Sequence, residues 1–313
     1  MNRERKVCLR NRDIELIIFL GEYGVISNEN VKLLYGSEFY YKNRLASLAK
    51  GDIIERIYGK VVLGRKGKSY LNKIGVGYRN TNRSDNYKKR MEYVSEIAFK
   101  VQNSGWYFEP SWRCDVNTFT KRGNRFIGIM SREKREYGES DESFYKRAYL
   151  VYFLHSDITP RELKYIDKEI SRNTNKFEGM FVFVNDEQFI QYPKFVNVSI
   201  KEFYTILCED KAWTIFSKIR DEEHMKNWIL GKFGYYYKSL STYIYEIYYS
   251  KHEGIYTYVF PMPFIDFARI RSINYMANDD DYDRVKFKVV CQNYYLNRIR
   301  ENLDERVDVI GVE

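Results

Sequence analysis

Between residues 37 and 50 the chain carries a cluster of hydrogen-bond donors suited to nucleic acid. Hydroxyl, amide, ammonium and guanidinium groups bond phosphate oxygens, and amides and guanidinium groups also bond base edges. If the donors share one helical face, the segment predicts a DNA-binding surface. The candidate residues are Ser37, Tyr40, Lys42, Asn43, Arg44 and Ser47.

A second group of basic and aromatic residues follows shortly afterwards. Two β-branched runs flank Tyr58-Gly59-Lys60, a pattern that predicts a β-hairpin. Residues at its tip would touch the DNA backbone or minor groove, and the basic residues after it would add phosphate contacts. The candidates are Arg56, Tyr58, Lys60, Arg65, Lys66 and Lys68.

Apolar spacing predicts the helices that would position these donors. Ile14, Ile17 and Ile18 fall on one face of a predicted helix from Asn11 to residue 24. Asn11 is the predicted N-cap of this helix, and Ser27 is the predicted N-cap of a short second helix. These two helices precede the segment that carries the first group of donors.

The third predicted helix covers residues 37–50. Its Tyr41, Leu45 and Leu48 recur at helical spacing, so they should face the core and leave the donors on the opposite face. The hairpin over residues 52–63 follows, and a fourth helix follows the hairpin. This order predicts a winged helix-turn-helix over residues 1–75.

The charge of the chain is concentrated in the same region. Residues 1–90 contain 20 Lys and Arg against 9 Asp and Glu, whereas the remainder contains 32 against 34. An excess of positive charge that is confined to the segment predicted to bind DNA favours nucleic acid as the partner. The first ten residues form a basic arm that either follows the DNA or is a solvated terminus, and residues 76–90 read as a basic linker.

Residues 91–225 are predicted to form an α/β domain. Thr159-Pro160 begins a helix, and Met180–Val184 is a buried strand. The segment 201–208 is predicted to be helical.

Residues 226–313 form a Tyr-rich C-terminal region. Thirteen tyrosines lie between residues 235 and 295. They could stack on bases, but packing in a core is favoured because this region has no basic excess.

The sequence lacks the residues that metal binding and nucleotide binding would need. The three histidines form no His-x-His pair, and no P-loop is present, so we expect neither metal nor nucleotide cofactor. The four cysteines are far apart, which predicts reduced thiols in the cytoplasm. We also expect neither a membrane span nor a signal peptide.

Two stretches resemble the N-terminal half of the replication-relaxation family, over about residues 10–75. They read RDIELIIFLGEYGVISNENVKLLY and RLASLAKGDIIERIYGKVVLGRKGKSYLNKIG. Members of that family are plasmid- and phage-encoded proteins of Gram-positive bacteria. The resemblance implies a role in plasmid replication and DNA relaxation.

The resemblance also implies a second domain with a restriction-endonuclease-like fold. In that fold one strand ends in an acidic residue and the next strand carries another. Asp115 matches the first position, but residues 125–130 contain no acid. Because nuclease chemistry needs two carboxylates on a metal, we expect a degenerate domain without catalysis.

The sequence thus predicts an α+β protein that binds double-stranded DNA. Its role would lie in replication, maintenance, transfer or transcriptional control of a plasmid or phage, as a homodimer with a possible replication or segregation partner. We expect Arg44→Glu to abolish binding without unfolding. The alternatives are a metal-dependent nuclease or nickase using Asp115 with Glu109 or Glu133, and a scaffold whose winged helix binds protein.

Overall fold

The computed structural model describes residues 7–79, 84–114, 125–173, 175–190, 192, 200, 202–218, 237–239, 247–252 and 255–312. The chain divides into two compact units, Met1–Lys100 and Val101–Glu313. Both mix helices with strands, so the predicted α+β class is confirmed. The sequence-based domain boundaries were 75, 90 and 225, and the observed division falls at residue 100, inside a helix.

The first unit combines helices with one small antiparallel sheet. The strand order in the sheet is β1-β3-β2, so the first strand pairs with the last. In chain order the elements are α1 (Asn11–Tyr23), β1 (Val25–Ser27), α2 (Asn28–Tyr35), α3 (Glu38–Lys50), β2 (Ile54–Ile57), β3 (Lys60–Leu63), α4 (Arg65–Lys73) and α5 (Asp85–Asn103), which continues into the second unit.

Local sequence signals explain where these helices begin and end. Gly24 ends α1 in the left-handed conformation, with φ of 81°, which glycine adopts without steric cost. Ser27 caps α2, since its side chain accepts the N–H of Asn30 at 3.3 Å. The predicted cap of α1 is wrong: Arg10 occupies that position instead of Asn11, and its N–H donates to Asp13 at 2.7 Å.

The predicted hairpin forms between β2 and β3. Its turn has two residues, Tyr58 and Gly59, which both have positive φ, at 44° and 80°. Turns of this hand match the twist of the paired strands. The turn therefore points Tyr58 away from the sheet, and 98% of its surface is exposed.

The core of the first unit lies between the helices and the sheet. The face of α1 that packs there differs from the predicted one, because Ile18 is 38% exposed. The buried apolar residues of the core include Leu16, Ile17, Leu20, Ile26, Val31, Leu45, Leu48, Ile54, Val61 and Leu71.

The second unit contains two sheets. Its elements, in chain order among the described residues, are β4 (Tyr107–Pro110), β5 (Gly128–Ser131), α6 (Asp141–Tyr145), β6 (Ala148–Leu154), α7 (Pro160–Asn173), β7 (Gly179–Val184), β8 (Glu202–Leu207), α8 (Asp210–Lys218), β9 (Tyr237–Ser239), β10 (Ile247–His252), β11 (Ile255–Met262), β12 (Ile265–Asp266), α9 (Phe267–Ala277), β13 (Val285–Gln292), α10 (Leu296–Arg300) and β14 (Val307–Val312).

The larger sheet has the order β4-β5-β6-β7-β8-β12. The pairs β4–β5 and β5–β6 are antiparallel, and β6, β7 and β8 run parallel. Helix α7 makes the crossover from β6 to β7, as parallel neighbours require. The prediction of a helix over residues 201–208 is wrong, because β8 lies there.

The smaller sheet has the order β14-β13-β11-β10-β9. Strands β10 and β11 form an antiparallel hairpin, whereas β11, β13 and β14 are parallel. No helix among the described residues is long and apolar enough to cross a membrane.

Candidate nucleic-acid interface

Helix α3 has one face that is open to solvent and one that is buried. Leu45 and Leu48 are fully buried, as the spacing predicted. The exposed residues of the opposite face are Phe39, Lys42, Asn43, Ala46 and Lys50. At 3.6 residues per turn these positions form one stripe along the helix.

Two of the six predicted donors of this segment lie on the exposed stripe itself, Lys42 and Asn43. Lys42 pairs with Glu38 at 3.3 Å, and both side chains remain more than half exposed. Such a pair contributes little to stability. The ammonium group of Lys42 can therefore exchange Glu38 for a phosphate at small cost.

The other donors of the segment border the stripe. Ser37 is exposed at the start of α3, and Ser47 is half-buried. Tyr40 is also half-buried, and its hydroxyl accepts a hydrogen bond from Arg10 at 2.7 Å. The guanidinium of Arg10 lies over the same ring, 5.6 Å from its centroid. Tyr40 thus anchors the start of α1 to α3.

Arg44 does not point freely into solvent. Its side chain is held by hydrogen bonds within the first unit and has a structural role. Its Nε lies 3.0 and 3.2 Å from the two carboxylate oxygens of Asp13, which is fully buried. The same guanidinium donates to the carbonyl of Cys8. Because these bonds occupy the guanidinium, Arg44 does not belong to the candidate interface, in contrast to its place in the sequence-based set.

The Asp13 carboxylate joins three helices at one buried point. Tyr35 at the end of α2 donates to it at 2.6 Å, and the N–H of Arg10 donates from the start of α1. Burial alone would raise the pKa of Asp13, but hydrogen bonds from Arg44, Tyr35 and Arg10 outweigh it and hold that pKa below its ordinary value. The ionised carboxylate therefore fixes the orientation of α3 relative to α1.

The lowered pKa of Asp13 predicts a stability that depends on pH. A carboxyl whose pKa is lower in the folded state stabilises fully above its unfolded value, ordinarily 3.8, and loses this contribution as pH falls through the folded value. We expect Asp13→Asn to unfold at lower urea than wild type at neutral pH. The difference should shrink below about pH 4.

The matched control for this experiment is Glu15→Gln, on the exposed side of α1. It should leave the urea midpoint at neutral pH unchanged. A difference between wild type and Asp13→Asn that stays constant across the acid range would contradict the assignment of Asp13 as the ionised centre.

The hairpin presents two of its three predicted contact residues. Arg56 is exposed in β2, and Tyr58 projects from the turn. Lys60 begins β3 instead of lying at the tip, and its ammonium is 2.6 Å from Glu92 of α5. Lys60 is therefore tied to α5, with 41% of its side chain exposed.

The basic residues at the start of α4 lie on the same unit. Arg65 pairs with Asp52 at 3.0 Å while 85% of its side chain stays exposed. Lys66 is exposed and Lys68 is half-buried. Arg65 and Lys66 thus both present their side chains to solvent.

Two exposed apolar residues of α3 were absent from the sequence-based set. Phe39 is 83% exposed, and Ala46 lies two turns further along the same stripe. Their spacing from Leu45 and Leu48 already separates them from the buried face. Phe39 and Ala46 carry no hydrogen-bond donor, so donor chemistry alone does not single them out.

The carboxylates considered for nuclease chemistry do not come together in a site among the described residues. Asp115 lies outside the described residues, and so do Arg3, Arg5 and Lys6 of the basic arm. Glu133 lies 3.4 Å from Arg147 in an ion pair. Strands β5 and β6 contain no carboxylate. Among the described residues no group of three His, Cys, Asp or Glu side chains could hold a metal ion.

The buried carboxylate beside these strands has a structural role. Glu169 of α7 accepts the N–H groups of Arg125 and Phe126 at 2.8 and 3.0 Å, and the hydroxyl of Tyr152 at 3.3 Å.

Comparison of the chain with protein-family models, curated proteins and solved structures finds no match.

Proposed function

We propose that the protein binds double-stranded DNA through its first unit, a winged helix-turn-helix. The observation that carries the proposal is the exposed stripe of α3, which presents Lys42 and Asn43 in the part of the chain that holds all the excess positive charge. A stripe of this kind suits the major groove, and basic side chains beside it suit phosphates.

The succession of elements supports the winged-helix assignment. Three helices precede a hairpin and a fourth helix follows it, with β1 completing a three-stranded sheet. In such a domain α3 serves as the recognition helix and the β2–β3 hairpin as the wing. Arg56 and Tyr58 would then lie against the DNA backbone or the minor groove.

The topology of the second unit supports a restriction-endonuclease-like fold. Helix α5 leads into two antiparallel pairs, β4–β5 and β5–β6, and α7 then connects β6 to its parallel neighbour β7. With no carboxylate on β5 or β6, we propose that this domain mediates pairing or partner binding instead of cleavage. Mg²⁺- or Mn²⁺-dependent cleavage of supercoiled plasmid, lost in Asp115→Ala, would contradict this.

The resemblance to the replication-relaxation family suggests the setting. A plasmid or phage protein of that kind would act in the cytoplasm in replication, maintenance, transfer or transcriptional control. We further propose a homodimer on paired sites, because one winged helix covers too little DNA for high specificity.

Charge reversal at the interface tests the proposal. We expect Lys42→Glu and Arg56→Glu each to weaken binding to duplex DNA about ten-fold and to reduce the salt dependence by about one phosphate contact. Both residues are exposed, so neither variant should unfold. Fluorescence anisotropy of the full chain at several salt concentrations gives both quantities.

The matched control is Lys164→Glu, an exposed lysine on α7 of the second unit. It changes the net charge of the protein by the same amount. It therefore distinguishes the loss of a local phosphate contact from a weaker overall electrostatic attraction between protein and DNA. If all three variants lose the same affinity, α3 and the hairpin are not the interface.

A further inference from the structure

The exposed stripe of α3 has a composition that favours one kind of base pair. It combines the apolar side chains of Phe39 and Ala46 with the amide of Asn43. In the major groove, apolar side chains contact the methyl group of thymine, and an asparagine amide bonds both the donor and the acceptor of adenine. All three groups therefore match A·T pairs.

The stripe lacks the side chain that most often reads guanine. Arg44 is the sole arginine of α3, and its guanidinium is bound to Asp13. The stripe also carries Lys42 and Lys50, whose ammonium groups are point charges suited to phosphate oxygens, and Lys42 can exchange Glu38 for a phosphate. The geometry thus removes the guanidinium from the reading face and keeps the A·T-reading groups on it.

The spacing along α3 fits successive base pairs. Phe39 and Ala46 are seven positions apart, which corresponds to about 10 Å along the helix axis. This distance covers about three base-pair steps. Asn43 lies between them on the same stripe, so the three side chains can reach neighbouring pairs together.

We propose that α3 reads A·T pairs in the major groove, with Phe39 and Ala46 on thymine methyl groups and Asn43 on adenine. This inference rests on the proposed DNA-binding function. The hydrophobic part of the recognition comes from the methyl group, because burying it against an exposed phenyl ring removes both from water.

The test uses duplexes that differ only in that methyl group. Anisotropy of the full chain is measured on an A·T duplex, on the same duplex with 2′-deoxyuridine in place of thymidine, and on a G·C duplex. We expect uracil to weaken binding about four-fold for each contacted methyl group, which is the effect of burying one such carbon. The G·C duplex should bind more weakly still.

Variants assign the effect to its side chain. Phe39→Ala should bind the thymine duplex more weakly and lose the part of the thymine–uracil difference, about four-fold, that the methyl group on Phe39 contributes. Circular dichroism should show an intact fold, because Phe39 is 83% exposed. Tyr275→Ala removes an aromatic side chain that is 73% exposed on α9, and it should keep the full difference.

Each contrary outcome has a distinct meaning. Equal binding of the thymine and uracil duplexes, or of the A·T and G·C duplexes, overturns the reading of A·T pairs and leaves DNA binding standing. A thymine–uracil difference that is as large in Phe39→Ala as in wild type overturns the assignment of Phe39 to a thymine methyl group. Binding to no duplex at low salt overturns the proposed function, and this inference with it.

Discussion

Arg44→Glu is expected to unfold the first unit, not merely to weaken a contact with DNA. The substitution places a second carboxylate against Asp13, whose side chain is fully buried, and removes its main partner. Breaking a buried ion pair costs about 3–5 kcal/mol, because one charge remains buried without compensation. The sequence alone led us to expect that Arg44→Glu would abolish DNA binding in a folded domain. From the structure we expect that the domain unfolds.

Lys42→Glu provides the matched control for this prediction. It reverses the same charge two residues earlier on α3, where the side chain is 59% exposed, and should change stability by no more than about 0.5 kcal/mol. Hydrogen–deuterium exchange over α1, α2 and α3 follows the first unit directly. Exchange in Arg44→Glu as slow as in wild type would contradict the structural role of Arg44.

Phe181→Ala is expected to give the largest loss of stability in the second unit. Phe181 is fully buried in β7, and its ring centroid lies 4.9 Å from that of Tyr204 and 5.0 Å from that of Tyr149. The ring centroids of Trp106 and Phe216 lie 5.8 and 5.6 Å from that of Phe181. Removing a buried ring costs about 3–5 kcal/mol through lost burial and the cavity that remains.

Tryptophan fluorescence is a selective measurement for this prediction. All four tryptophans, at positions 106, 112, 213 and 228, belong to the second unit. Urea unfolding followed by fluorescence should shift strongly in Phe181→Ala and little in Tyr165→Ala, where the ring is 43% exposed on α7. Equal midpoints for Phe181→Ala and wild type would contradict the aromatic core.

Elements with strong local signals could be predicted from the sequence. Apolar periodicity and capping residues located α2, α3 and α7, and the Tyr58-Gly59 turn located the hairpin. Strand β1 was missed because its three residues make too short a pattern. Strand β8 was predicted to be a helix because a short apolar run has no period that separates the two, and its pairing with β7 decides the outcome.

The candidate interface was predicted in outline, and its details depend on distant contacts. Leu45 and Leu48 fixed the buried face of α3, so Lys42 and Asn43 could be placed on the other side. Arg44 could not be assigned in this way, because its partner Asp13 lies 31 residues earlier in the chain. No local pattern reports a contact across that separation.

The core aromatic residues illustrate the same limit in the second unit. Tyr295 is fully buried, and its ring centroid is 5.8 Å from that of Phe264, whereas Tyr275 on α9 is largely exposed. Composition predicts that most tyrosines pack in sheets, but only the fold decides which of them do so.

The most direct test of the account is the affinity of the full chain for random-sequence duplex DNA as a function of salt. If α3 and the hairpin bind the duplex, the logarithm of the affinity should fall linearly with the logarithm of the salt concentration. The slope should be about −0.9 for each phosphate contacted. No measurable binding at low salt, or an affinity that does not change with salt, would contradict the central claim.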